Sequence, residues 1–105
     1  MIAAVNATVL VAVSLAALVM ADRADADGKS VFDQVCSKCH RTGVLDAPVA
    51  GNKAAWELRV QAGRDRLYES AINGKNSMPP KGGKDRLSDE DAKAAVDYMV
   101  GLAGL

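Results

Sequence analysis

Cysteine, histidine and aromatic residues are all scarce in this chain. Its 105 residues include two cysteines and one histidine. Its aromatics are Phe32, Trp56, Tyr68 and Tyr98 alone. A domain with so few large rings builds a thin core and needs a staple to be stable. No alternating run of β-branched residues occurs, which argues against a sheet. No internal repeat and no low-complexity tract interrupts the chain. Neither sign of charge dominates, with 13 basic against 13 acidic side chains. That balance argues against nucleic-acid binding, which needs a clear basic excess.

Charge is also missing from Met1 to Ala21, most of which is Ala, Val, Leu, Ile or Met. The run VLVAVSLAALVM fits the apolar centre of a signal peptide. Two small-residue cleavage patterns follow it, Val19-Met20-Ala21 and Ala24-Asp25-Ala26. The first basic residue is Arg23, later than a signal peptide usually has one. Residues 1–26 are therefore expected to be a signal peptide, with an N-terminal membrane anchor as the alternative. About 20 apolar residues suffice to span a bilayer; Asn6, Thr8 and Ser14 weaken that alternative. Either reading places residues 27–105 beyond the membrane, in the oxidising periplasm of a bacterial cell, where bare thiols rarely persist. Without Arg23, Asp22 and Asp25 the exported part keeps 12 basic and 11 acidic residues.

That part reads as helices. Val31 or Phe32 and Val35 recur at helical spacing from Lys29 and run into Cys36 and Cys39. Residues 41–51 carry two Gly and one Pro and read as loop. Asn52 caps a short helix through Val60 that Gly63 stops. Asp65 to Ile72 is a further helix, closed by Asn73-Gly74. Residues 73–84 are again loop. Ser88, with Asp91 three residues on and Asp89 and Glu90 between, opens the last helix. Ala92, Val96, Met99 and Ala103 form its apolar stripe. The expected fold is all-α: three to five short helices and long loops, which in so small a domain usually wrap something.

CSKCH, residues 36–40, gathers both cysteines and the histidine. Structural zinc takes four N or S ligands, and this cluster offers three with no other Cys or His in the chain. A C-x-x-C redox pair sits at the start of a helix after a strand, whereas this one ends a helix. C-x-x-C-H is the pattern of c-type haem attachment. Cys36 and Cys39 share one face of a helical turn, so their sulfurs can reach two vinyl groups of one ring. His40 is then carried toward the iron. Attachment consumes both thiols and supplies the staple and the missing apolar mass. A second axial ligand must be Met78 or Met99 if it is not in the leader. Met99 lies on the apolar stripe, where Met commonly fills core. Met78 lies 38 residues past His40, just before Pro79-Pro80, whose fixed φ stiffens the loop. A thioether there is a soft, neutral ligand that raises the reduction potential.

With these residues in place, the chain resembles a class I (monohaem) cytochrome c, over most of residues 27–105. The stretches DGKSVFDQVCSKCHRTGVLDAP, NKAAW and YESAINGKNSMPPKGG are most similar to the bacterial cytochrome c-five group. The resemblance implies the small cytochrome c fold around one covalent haem c. It implies thioether links at Cys36 and Cys39, with His40 and Met78 on the iron. It implies Pro48 beside the His40 ring, with a backbone carbonyl accepting from Nδ1–H. It places Trp56 at the haem edge near a propionate, Arg59 as a neutralising charge and Pro79 among the cofactor-binding residues. Phe32 and Tyr98 are expected to touch where the first and last helices cross. The group often has a second cysteine pair after the Met-Pro-Pro stretch; here that region reads KDRLSDED, without one.

Two ligands on iron leave no open position, so the expected role is a periplasmic one-electron carrier and not an enzyme. Its partners would be redox proteins met transiently. Lys38, Arg41, Lys75, Lys81 and Lys84 could form a mildly basic rim that steers acidic partners, or be scattered solvated charge. Two other classes stay open: a ligand-binding or peroxidatic haem protein with a labile sixth position, and a haem subunit of a larger enzyme tethered through residues 1–21.

Overall fold

A computed structural model describes residues 27–105. The leader expected over residues 1–26 lies outside the described residues. Among the described residues there are four helices and no strand. Helix α1 spans residues 27–40, α2 Lys53–Val60, α3 Arg64–Asn73 and α4 Asp89–Leu102. None of these helices is long and apolar enough to cross a membrane.

The last helix forms for the reasons its sequence gives. Ser88 keeps an extended backbone, and its hydroxyl accepts from the Asp91 amide at 3.1 Å. Three acids fill the first turn, at the positive end of the dipole. Ala92, Ala95, Val96, Met99 and Val100 then repeat at helical spacing and are buried. Asn52 caps α2 in the same way, its side-chain oxygen accepting from the Ala55 amide at 3.2 Å. Helix α3 begins at Arg64, one residue before the expected start, straight after the glycine that ends the preceding turn.

Helix α1 departs from simple expectation. Its middle, Phe32–Cys36, is π-helical, and the Ser37 amide reaches back five residues to the Phe32 carbonyl. The Ser37 hydroxyl donates to the Asp33 carbonyl at 2.7 Å. A π turn is wider than an α turn, so side chains after it are rotated relative to those before it. Phe32 and Val35 stay buried, while Cys36, Cys39 and His40 follow in the re-phased part.

Helices α1 and α4 cross at close range. A Cβ on Gly28 would lie 2.5 Å from the Ala94 carbonyl oxygen and 3.4 Å from Tyr98 Cβ. Beside this crossing the Phe32 and Tyr98 rings meet, centroids 5.5 Å apart and tilted by 51°. Helix α3 is tied to α4 by Asp97, whose carboxylate accepts from Arg64 and from the Tyr68 hydroxyl, each at 2.6 Å.

The core is thin, as the lack of aromatics implies. It joins Phe32, Trp56, Ala71, Val96, Met99, Val100 and Ala103. Cys36, Ala50, Val60, Leu67, Tyr68, Met78 and Tyr98 pack on its margin but are only half buried. Both expected loops contain a 3-10 turn, Val44–Asp46 and Pro80–Gly83. Leu45, Asp46 and Lys81 take positive φ of 57°, 62° and 55° there, a region that disfavours residues with a Cβ.

Candidate haem site

The π segment hands over to Ser37–His40, which carries the cysteines and histidine. Cys36 and Cys39 are half buried, and their sulfurs are not bonded to one another. Burial pushes the Cys36 thiol up, against a smaller downward pull from a backbone hydrogen bond. A thiol so placed is a poor redox nucleophile. Among the described residues no three His, Cys, Asp or Glu side chains gather as a metal-holding group. The thiol-redox and zinc readings of CSKCH therefore find no support in the geometry.

His40 is the buried polar residue of the core, 7% exposed. Its Nδ1 lies 2.9 Å from the Pro48 carbonyl oxygen. A carbonyl only accepts, so Nδ1 carries a proton, and Nε2 is the nitrogen left to act as a ligand. The loop is folded back to make this contact: the Ala50 amide donates to the His40 carbonyl at 2.7 Å. Trp56 closes the same corner, its ring centroid 5.8 Å from that of His40. Its indole N–H donates to the Val49 carbonyl at 3.0 Å. That proton is thus engaged within the protein. Arg59 is exposed, and its guanidinium donates to the Ala55 carbonyl of its own helix at 2.7 Å.

Met78 sits in the loop after α3. Its amide donates to the Lys75 carbonyl at 2.9 Å, and its carbonyl accepts from the Lys75 amide at 3.0 Å. Gly74, with φ of 85°, allows this tight return: a Cβ there would meet the Met78 oxygen at 2.9 Å. Met78, Pro79 and Pro80 share one open cleft of about 680 Å³ with Cys39, Leu45 and residues 73–77. That size suits a cofactor site. Met99, by contrast, is 3% exposed within the core, the place expected for a filler. The cleft thus joins Cys39 at the end of α1 to the Met78 loop, while Cys36, His40, Pro48, Trp56 and Arg59 lie outside its lining. The residues present fit a c-type haem.

Of the basic rim, two members are drawn into ion pairs. Arg41 lies 3.6 Å from Asp33 and over the Phe32 ring, and Lys81 lies 3.0 Å from Asp89. Leu45, 67% exposed at the cleft, and the Val49 carbonyl had no signal in the sequence beyond lying between Gly43 and Gly51.

Comparison with known proteins gives the family. A family model described as cytochrome c oxidase, cbb3-type, subunit III, matches residues 23–99. Cytochrome c-555 of Chlorobaculum tepidum is 44% identical over 80 residues, covering 72% of this chain and 74% of the relative. Cytochrome c5 of Azotobacter vinelandii is 44% identical over 77 residues, covering 71% and 93%. One solved structure, of an electron transfer complex of nitrite reductase with cytochrome c, contains a chain with a TM-score of 0.70 and 36% identity. That match covers 73% of this chain and 94% of the other. The chain therefore belongs to the cytochrome c family, among the monohaem class I members, and carries covalently bound haem c with its iron.

Proposed function

We propose that this chain is a periplasmic one-electron carrier, with haem joined to Cys36 and Cys39 and held on iron by His40 and Met78. The observation that carries the reading is the shared cleft of Cys39 and Met78, beside a buried His40 whose Nδ1 proton is already committed to Pro48. Bound haem supplies a one-electron couple at iron. The rest is the work of the chain. The Pro48 carbonyl orients the imidazole and leaves Nε2 as the ligand atom. The two hydrogen bonds between Lys75 and Met78, with Pro79-Pro80 after them, hold the thioether at one place. Half-buried Cys36, Leu67 and Met78 keep water from the core margin. Trp56 and Pro79 would give apolar surface to a bound ring, and Arg59, in the last turn of α2, would answer a propionate.

Filling both axial positions from the chain leaves none for a substrate, which favours outer-sphere transfer. Export by the N-terminal leader would put the carrier among respiratory or dehydrogenase partners. Its encounters would bury little area, as redox encounters usually do. The resemblance to a cytochrome c in complex with nitrite reductase supports transient redox partners of that kind.

The test is an absorption spectrum of the exported protein, oxidised and reduced, with a denatured pyridine sample. A c-type pyridine spectrum plus the weak red-edge sulfur-to-iron band is expected. Covalent haem without that band would reject Met78 as ligand and favour a ligand-binding protein, which carbon monoxide uptake would then reveal.

A further inference from the structure

We infer that Lys81 is a positioning residue: its ion pair with Asp89 ties the Met78 loop to the start of α4. This rests on the proposal that Met78 ligates iron. The sequence places Lys81 among outward charges, but the structure turns it inward. Its Nζ is 3.0 Å from Asp89 Oδ1, and its side chain is only 20% exposed. Lys81 sits at φ of 55° beside Gly82 and Gly83, which hold positive φ more easily. A lysine held there, where glycine is the easier residue, is being used for where its side chain goes.

The loop has two further anchors. Upstream, the amide and carbonyl of Met78 are both bonded to Lys75. Downstream, Gly82 lies against α1 so closely that a Cβ would meet Val35 Cγ1 at 2.9 Å. Between them run Pro79 and Pro80, stiff in φ, so a displacement at Lys81 is passed to Met78 with little lost. Asp89 opens α4 directly after the Ser88 cap, so its backbone is held in the helix while its side chain is 55% exposed. Lys81–Asp89 is thus the polar link between the Met78 loop and the last helix. A docking charge at Lys81 would behave differently: neutralising it would alter partner steering and leave the iron ligand untouched.

The test uses holoprotein carrying Lys81→Gln, Asp89→Asn, both together, or Lys81→Gly. The readouts are the rate of carbon monoxide binding to the reduced protein at neutral pH and the red-edge sulfur-to-iron band, at low and high salt. Each single variant is expected to bind carbon monoxide roughly fivefold faster, the upper size for a partly exposed pair. The double variant should gain nothing over either single one. Salt should speed the wild type and leave the variants unchanged. Lys81→Gly, which removes the left-handed strain together with the charge, should be as fast as Lys81→Gln. Unchanged single-variant rates, or a double variant whose gains multiply, overturn the inference while the wild-type band stands. A wild type without the band overturns the Met78 reading and this inference with it.

Discussion

Replacing Gly28 with alanine tests whether the crossing of α1 and α4 holds the fold together. The new Cβ would stand 2.5 Å from a backbone carbonyl oxygen and 3.1 Å from its carbon. Neither atom can rotate away, so the helices must part. Overpacking of this kind costs about 1–3 kcal/mol. Parting also loosens the Phe32–Tyr98 pair, worth about 0.5–1.5 kcal/mol beyond its area. Alanine's better helix propensity returns about 1 kcal/mol. The net expectation is a loss of about 2 kcal/mol, or roughly 8–16 °C in Tm for a domain of this size. Thermal unfolding of the haem-loaded protein by far-ultraviolet circular dichroism reads this directly. Gly101→Ala is the matched control, because no atom lies within 4 Å of a Cβ built there. That variant should gain a few tenths to about 1 kcal/mol from propensity alone. If Gly28→Ala melts at or above the wild type, the crossing is not the tight contact described and the reasoning fails.

Ser88→Ala should cost about 1 kcal/mol in urea unfolding, since the Asp91 amide loses its acceptor, and Ser88→Asp should recover most of it. Met78→Ala should abolish the red-edge band, admit carbon monoxide and lower the reduction potential; an unchanged potential would count against sulfur ligation. The Tyr68 phenol is held above its ordinary value of 10.0 by burial and by the Asp97 carboxylate that accepts its proton, with Arg64 opposing. A raised value means the folded state binds that proton more tightly. Its contribution to stability is full below pH of about 10 and fades as pH rises through the folded value. Unfolding free energy should therefore decline with pH in that window more steeply for the wild type than for Tyr68→Phe. Equal slopes would refute the linkage.

Helix α4 is legible in the sequence because three independent signals coincide there: a Ser cap, acids in the first turn and a stripe at the helical period. Helix α2 is legible for the same kind of reason, from Asn52 at one end and Gly63 at the other. The π turn in α1 is not, because five residues are too few for a change of period to show. Leu45 and Asp46 are not either, since a left-handed conformation at non-glycine residues leaves no mark in composition. The site stands out through scarcity: one histidine and two cysteines in one pentapeptide, and one methionine in a proline-stiffened loop. Pro48 came from family resemblance, and the contact with His40 is a main-chain carbonyl that any residue could provide. The Trp56 N–H bond to Val49 is likewise to a main-chain carbonyl, which leaves no mark in the sequence. Lys81 is a different case, since a lysine in a polar loop is read as facing water until its ion pair is seen.

Phe32–Cys36 also restricts how this chain can change in length. An α-helical residue turns the chain by about 100°. Removing one residue from the π segment would restore regular α geometry with every local hydrogen bond satisfied, so the helix itself would tolerate the loss. A π turn takes about one residue more than an α turn to go round once, so Cys39 and His40 would also keep their facing relative to Phe32. Loss of Asp33 or Gln34, both exposed, should thus spare helix content and haem attachment alike, whereas loss of Ser37 or Lys38 would break the Cys36–Cys39 spacing and abolish attachment. The exposed Val44–Asp46 turn is a second tolerant place, where an added residue changes a loop and reorients no helix.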